Sequence, residues 1–237
     1  MVEMQDRLKF QEHCALCGRP LVYGTEAVER TCDLCRQVVK AQVYCPEGHY
    51  VCDACHARGA IGVLRQVVFA TRSTSPAEIA EAVMSHPLVP MHGPEHHAIV
   101  AASIVTAVRN VVGEVPDGAV EKAIDRASKV PGGWCGLYGD CGAAVGVGVA
   151  VSVLSGATPL TGRQRSLAMS ATVFAMSRMI DDQPRCCKRA VRTGIDAAVV
   201  FLRERMNIFL PLREKATCSY FERNQQCAKT ACPYFPI

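Results

Sequence analysis

From residue 75 onward the apolar positions recur at helical spacing, and no stretch alternates with a period of two. The pattern predicts a helical bundle without a sheet. Ser75-Pro76-Ala77-Glu78 is a capping box with proline at the first helical position, and it opens a helix to about His86. Gly93-Pro94 opens a second, in which Ile99, Ala102, Val105, Ala107 and Val108 give a wide apolar face up to Val112. A shorter amphipathic helix follows over 120–130. Asp140 caps a helix of small residues over 141–155, and Thr161 with Gln164 forms a second capping box for a helix to about Ile180. Asp182 and Pro184 start the last long helix, which ends near Met206. Residues 61–70 read equally as strand or helix.

Before residue 60 the pattern changes. Val39, Ala41 and Val43 alternate within 37–44 and predict a strand, with Tyr50-Val51 as its returning partner and a short helix starting near Asp53. The fold class is therefore mostly α. A small N-terminal module over 1–60 leads through a connector at 61–72 to an α-helical bundle domain at 73–208. A Cys-rich tail occupies 209–237.

The helix near 142–154 contains Ala143, Ala144, Gly146, Gly148 and Ala150. Glycine in a helix interior costs about 1 kcal/mol against alanine, so its use there implies close backbone approach. This helix is expected at the centre of the bundle, with packing as sufficient reason for its composition. Its apolar run is too short for a membrane helix, which needs roughly 20 residues. Residues 1–10 carry Glu3, Asp6, Arg7 and Lys9 and no apolar stretch, so no secretory signal is read and a cytoplasmic location is expected. Charge is nearly balanced, with 26 basic against 22 acidic residues, and aromatics make up 6%. Neither a basic face nor a base-stacking platform is indicated, which argues against a dedicated nucleic-acid binder.

Fourteen cysteines change the picture. In a reducing compartment clustered cysteines signify metal or catalysis rather than disulfides. Cys14/Cys17 and Cys32/Cys35 form two CxxC pairs, Cys45 and His49 lie in Cys-Pro-Glu-Gly-His, and Cys52/Cys55 closes the set. These seven thiolates and one imidazole are the eight ligands that two tetrahedral zinc sites require. If neighbouring pairs shared an ion, only Tyr50 and Val51 would separate two ligand-bearing turns. Crossed pairing, Cys14/Cys17 with Cys45/His49 and Cys32/Cys35 with Cys52/Cys55, leaves more room for the chain to reverse. Closed four-ligand sites favour zinc over iron. This order of ligands resembles the treble-clef and cross-brace arrangements of RING-like zinc domains. His13 and His56 flank ligands, but the count is complete without them. The module reads as a structural appendage or as a grip for RNA or a protein partner.

Three further constellations carry chemistry. Met91-His92-Gly93-Pro94-Glu95-His96-His97 places Glu95, His96 and His97 in a first helical turn, where free N–H groups favour an anion. Gly132 to Gly142 holds Cys135 and Cys141 among flexible glycines, and Cys141 at a helix start is expected to have a lowered thiol pKa. Arg185-Cys186-Cys187-Lys188-Arg189 puts two more cysteines at another helix start; adjacent helical residues diverge, so at most one faces a given site. The tail adds Cys218, Cys227 and Cys232-Pro233, whose spacing matches no zinc motif. Three tail thiolates with Cys186 or Cys187 could hold a [4Fe–4S] cluster; three alone would leave one iron open, and a zinc staple is the rival.

Taken together, Met-His-Gly-Pro-Glu-His-His, the Cys135/Cys141 loop, Arg-Cys-Cys-Lys and the Cys-Pro-Tyr-Phe tail resemble an uncharacterised archaeal and bacterial Cys-rich domain family, sometimes fused to radical-SAM or methyltransferase modules. The resemblance implies metal- or sulfur-linked metabolism over residues 73–237 and carries no catalytic assignment. The expected function is an iron–sulfur-dependent enzyme of sulfur or thiol transfer on a small anionic or sulfur-containing substrate. Cys218, Cys227 and Cys232 hold the cluster, Cys135 or Cys141 carries the reacting sulfur, and the segment from His92 to His97 binds the anion or moves protons. The alternative is a zinc-binding protein that grips RNA or a protein partner, with the tail metal purely structural.

Overall fold

The computed structural model of the protein describes residues 14, 16, 17, 19–212 and 216–236. His13 and the N-terminal residues read for a signal lie outside these. The chain divides into two compact units, Met1–Arg58 and Gly59–Ile237.

In the first unit, strand β1 (Val22–Thr31) pairs antiparallel with β2 (Val38–Tyr44), with an irregularity between Tyr23 and Val28. The alternation over 37–44 thus forms the expected strand, but its partner precedes it. Tyr50 instead clips onto the turn after β1: Asp33 N donates to Tyr50 O at 2.8 Å, and Tyr50 N donates to Asp33 Oδ2 at 2.9 Å. Helix α1 (Asp53–Ala70) begins where a short helix was expected and continues through residues 61–70, resolving that ambiguity as helix.

The second unit is helical: α2 (Pro76–Met84), α3 (Glu95–Val112), α4 (Ala119–Ala127), α5 (Trp134–Leu137), α6 (Gly142–Ser155), α7 (Gly162–Met176) and α8 (Cys187–Met206). Ser75 caps α2, its side chain accepting from Glu78 N. Three other caps differ from expectation. Asp140 does not cap α6, because the residue before that helix is Cys141 and no side chain caps it. Thr161 precedes α7 without capping it, because its hydroxyl donates to Thr158 O. Helix α8 starts at Cys187 rather than at Asp182 or Pro184, and the Cys186 sulfur accepts the Arg189 N–H as its cap.

Helices α3 and α6 form the centre. From Glu95 to Val108 every residue of α3 is buried, and α6 packs against α3, α4, α7 and α8. The small residues of α6 have the packing role their composition implies. A Cβ on Gly146 would lie 2.6 Å from the carbonyl oxygen of His97 in α3. Among the described residues no helix is long and apolar enough to cross a membrane.

Candidate metal centres and active site

Two groups of four side chains in the first unit could each hold a metal ion. The ligand atoms of Cys14, Cys17, Cys45 and His49 all lie within 4.8 Å of one another, and so do those of Cys32, Cys35, Cys52 and Cys55. The first pair along the chain meets the third, and the second meets the fourth. Cys17 and Cys45 sulfurs are 3.5 Å apart, Cys35 and Cys52 sulfurs 3.6 Å. Ligands about 2.3 Å from one tetrahedral ion would sit about 3.8 Å apart, so both sets have the dimensions of a single-ion site. Backbone donors already aim at the sulfurs: Leu16 N reaches Cys14 Sγ at 3.4 Å, and Cys52 N reaches Cys32 Sγ at 3.3 Å. The Cys52 N–H holds the Cys32 thiol down at about 6, whereas burial and the three neighbouring thiols push Cys55 up to about 12. A cation among four crowded thiols would remove that conflict, because each thiolate gains a positive partner. His56 is exposed and stands outside both sets.

In the helical unit the three constellations that are far apart in sequence line one cavity of about 450 Å³. The start of α3 contributes His96 and His97, the glycine-rich loop contributes Cys135 and Cys141, and the approach to α8 contributes Cys186 and Cys187. Arg178, Arg185 and Arg189 add positive charge. Arg178, with Met176 and Met179, comes from the end of α7 and beyond, which no sequence motif marked.

Each histidine has a distinct setting. His97 Nδ1 donates to Val130 O at 3.0 Å, and its ring lies against Gly142, whose missing side chain makes room for it. His96 Nδ1 faces two oxygens, Glu95 Oε1 at 2.7 Å and Gly93 O at 3.1 Å, so it carries the hydrogen. Among the described residues His96 Nε2 is buried and has no hydrogen-bond partner. His92 does not line the cavity. Its Nδ1 lies 3.5 Å from Cys187 N and its Nε2 lies 3.3 Å from Asn224 Oδ1, so it braces the start of α8 against the tail.

The thiols also separate. Cys135 is exposed. Burial raises the Cys141 thiol and outweighs the N–H groups of Ala143 and Ala144, so the lowering expected at a helix start does not occur. Cys187 is pushed up to about 12 by burial, although Arg185 and the Gly93 N–H oppose it. Lys188 is buried beside it, donating to Met84 O at 3.1 Å, and burial pulls its ammonium down to about 8.

Cys186 also reaches the tail. With Cys218, Cys227 and Cys232 it lines a second, small cavity of about 20 Å³. The tail sulfurs repeat the N–H···S geometry of Cys14: Tyr220 N donates to Cys218 Sγ at 3.4 Å and Lys229 N to Cys227 Sγ at 3.3 Å. Asn224 Nδ2 lies 3.6 Å from Cys186 Sγ. Among the described residues, the two N-terminal sets are the groups whose ligand atoms all fall within 4.8 Å; the tail set is wider. Polar contacts fix the tail in place. Cys218 N donates to Tyr234 O at 2.7 Å, Tyr234 OH to Asp196 Oδ2 at 3.1 Å, and Tyr220 OH to Glu81 Oε2 at 3.2 Å.

Fold and site together define a helical domain with a cysteine- and histidine-lined cavity, preceded by a small module with two possible metal-binding sets. The chain belongs to a family of unknown function (DUF5714), whose model matches residues 64–235. The match begins after the last ligand of the N-terminal module and includes every cysteine of both cavities. No curated protein and no solved structure matches the chain.

Proposed function

We propose that the protein is an iron–sulfur-dependent enzyme of sulfur or thiol transfer acting on a small anionic substrate, with two structural zinc ions in its N-terminal module. The observation that carries the reading is the position of Cys186, which lines both the small four-cysteine cavity and the large one. Cys186, Cys218, Cys227 and Cys232 would hold a [4Fe–4S] cluster. A cubane seats each cysteine on a different iron, so it suits a set wider than a single ion's ligands, and the N–H groups aimed at the sulfurs are the kind that tune such a cluster. Bound there, the cluster would supply one-electron chemistry or charge beside the substrate. The chain's own residues supply the rest: arginines attract the anion, and Cys135, exposed at the larger cavity, carries the transferred sulfur.

The test is elemental analysis of protein purified without oxygen. Four irons and four sulfides per chain in addition to two zincs are expected, with serine at Cys186 or Cys218 removing the iron and leaving the zinc. A colourless protein with three zincs would refute the cluster. A second reading draws support from Leu16 and Leu34, which sit between the cysteines of the two CxxC turns and are 47% and 62% exposed. Apolar side chains at such tips suit a zinc module that binds a protein partner, in which the tail metal is a staple.

A further inference from the structure

We infer that His96 is the base of the larger cavity, and that the group it ionises is the thiol of an anionic acceptor. The inference rests on the sulfur-transfer reading and names its acceptor class and the residue that serves it.

Three histidines come near the cavity in sequence, and their geometry separates them. His92 is engaged between α8 and the tail. His97 is pinned by Val130 and lies flat on Gly142. His96 lines the cavity, is 1% exposed, and among the described residues its Nε2 has no partner. A buried nitrogen left unpaired is costly, and native proteins keep such a group where a ligand completes it. Two oxygens facing Nδ1 set the tautomer, so Nε2 presents a lone pair. An imidazole whose Nδ1 hydrogen goes to Gly93 O beside the Glu95 carboxylate, and whose buried Nε2 is left unpaired, has the arrangement of a general base. The ligand that fits therefore brings a weakly acidic hydrogen to Nε2 and negative charge to Arg178, Arg185 and Arg189. In a cavity that also holds Cys135 and Cys141, an anionic thiol meets both demands.

The step balances without an outside oxidant. The acceptor thiol gives its proton to His96 Nε2, and its thiolate attacks the outer sulfur of a persulfide on Cys135. A new sulfur–sulfur bond forms on the acceptor. The bond between Cys135 Sγ and that sulfur breaks, and its electron pair stays on Sγ. The proton then passes from Nε2 to the Cys135 thiolate, leaving an acceptor persulfide and a free thiol.

Two measurements on the full chain test this separately. First, 3-mercaptopropionate is added at neutral pH and the ultraviolet band of bound thiolate is followed. Wild type is expected to ionise the thiol on binding, His96→Gln to form at least about tenfold less thiolate at the same total concentration, and neutral 2-mercaptoethanol to bind more weakly. Second, protein loaded with inorganic polysulfide is mixed with 3-mercaptopropionate, and sulfur loss from Cys135 is read by mass spectrometry. Here His96→Gln should be slower by about a hundredfold or more, the scale of general-base catalysis, and added imidazole should restore His96→Gly. Equal thiolate formation by wild type and His96→Gln overturns the inference, and so does loss of a metal ion from His96→Gln, which would make Nε2 a ligand. Thiolate that forms through His96 while Cys135 neither takes up nor gives sulfur leaves the base assignment standing and refutes sulfur transfer.

Discussion

Replacing Gly146 with alanine tests how closely α3 and α6 approach. On an isolated helix the change should stabilise by about 1 kcal/mol, because alanine is the better helix former. In this fold the new methyl would lie 2.6 Å from His97 O and 3.2 Å from Val100 Cβ. The first contact is with backbone, which has no rotamer to turn aside, so the two central helices must separate by several tenths of an ångström. Overpacking of that kind typically costs about 1–3 kcal/mol. Subtracting the propensity gain leaves a net loss of up to about 2 kcal/mol. Gly62→Ala is the control: Gly62 lies in α1 within the same unit, and a Cβ there meets nothing within 4 Å. It should stabilise by about 0.5–1 kcal/mol. Urea unfolding followed by far-ultraviolet circular dichroism reads both, with Gly146→Ala shifting the midpoint down by up to about 1 M at an ordinary urea slope. The opposite signs are the result that matters. If Gly146→Ala stabilises as Gly62→Ala does, the helices are not in contact at this point.

Further outcomes follow from the sites. Cys14→Ser and His49→Ala should deplete one metal ion, and Cys32→Ser and Cys55→Ser the other, as read by competition with a chelator; depletion of one ion by both Cys14→Ser and Cys32→Ser would refute the crossed sets. Iodoacetamide at neutral pH should label Cys135 well before Cys141, since one thiol is exposed and burial raises the other; equal rates by peptide mass spectrometry would contradict this. Burial also raises the Asp140 carboxyl. The native state then binds more protons than the unfolded one, so this group lowers stability as pH rises from its unfolded pKa through its folded one. Asp140→Asn should therefore gain stability relative to wild type as pH rises from 3 to 7, and an unchanged difference over that range would refute the burial effect. Asn224→Ala, which removes contacts with His92 and Cys186, should speed limited proteolysis between 207 and 236 while leaving the metal content of the N-terminal module unchanged.

Most helices were legible because their starts carry local chemistry. Ser75 and Pro76 fix α2, and Gly93-Pro94 precedes α3 by steric preference alone. Helix α8 was misplaced at its start because Pro184 and Asp182 imitate an N-terminus, while the actual cap is a sulfur, which sequence rules do not weigh. Strand β1 was invisible for a different reason. In a two-stranded ribbon with most β1 residues exposed, nothing forces apolar and polar residues to alternate, and Thr25, Glu26, Glu29 and Arg30 hide the period. The ligand order of the N-terminal module was readable because short spacings constrain geometry. Which of Cys186 and Cys187 turns toward the tail was not, since adjacent residues differ only by rotation about the helix axis, and that rotation is set by the packing of α8 on α2, α3, α6 and α7. The raised Cys141 thiol was missed because a helix start predicts the field of nearby N–H groups but not how much water the fold removes.

The position of Cys218 beside Cys186 sets a limit on chain length. Cys186 caps the front of α8, whose 20 residues run about 30 Å before the chain leaves at Met206. Cys218 lies beside Cys186 again, so the 12 residues from Asn207 to Cys218 must cover that whole distance in return. Fully extended they reach about 40 Å. A return over that distance uses about three quarters of the reach of twelve residues, a surplus of about three residues. Lengthening it should be harmless, whereas removing four residues would leave the tail cysteines short of the front of α8 however well each could bind.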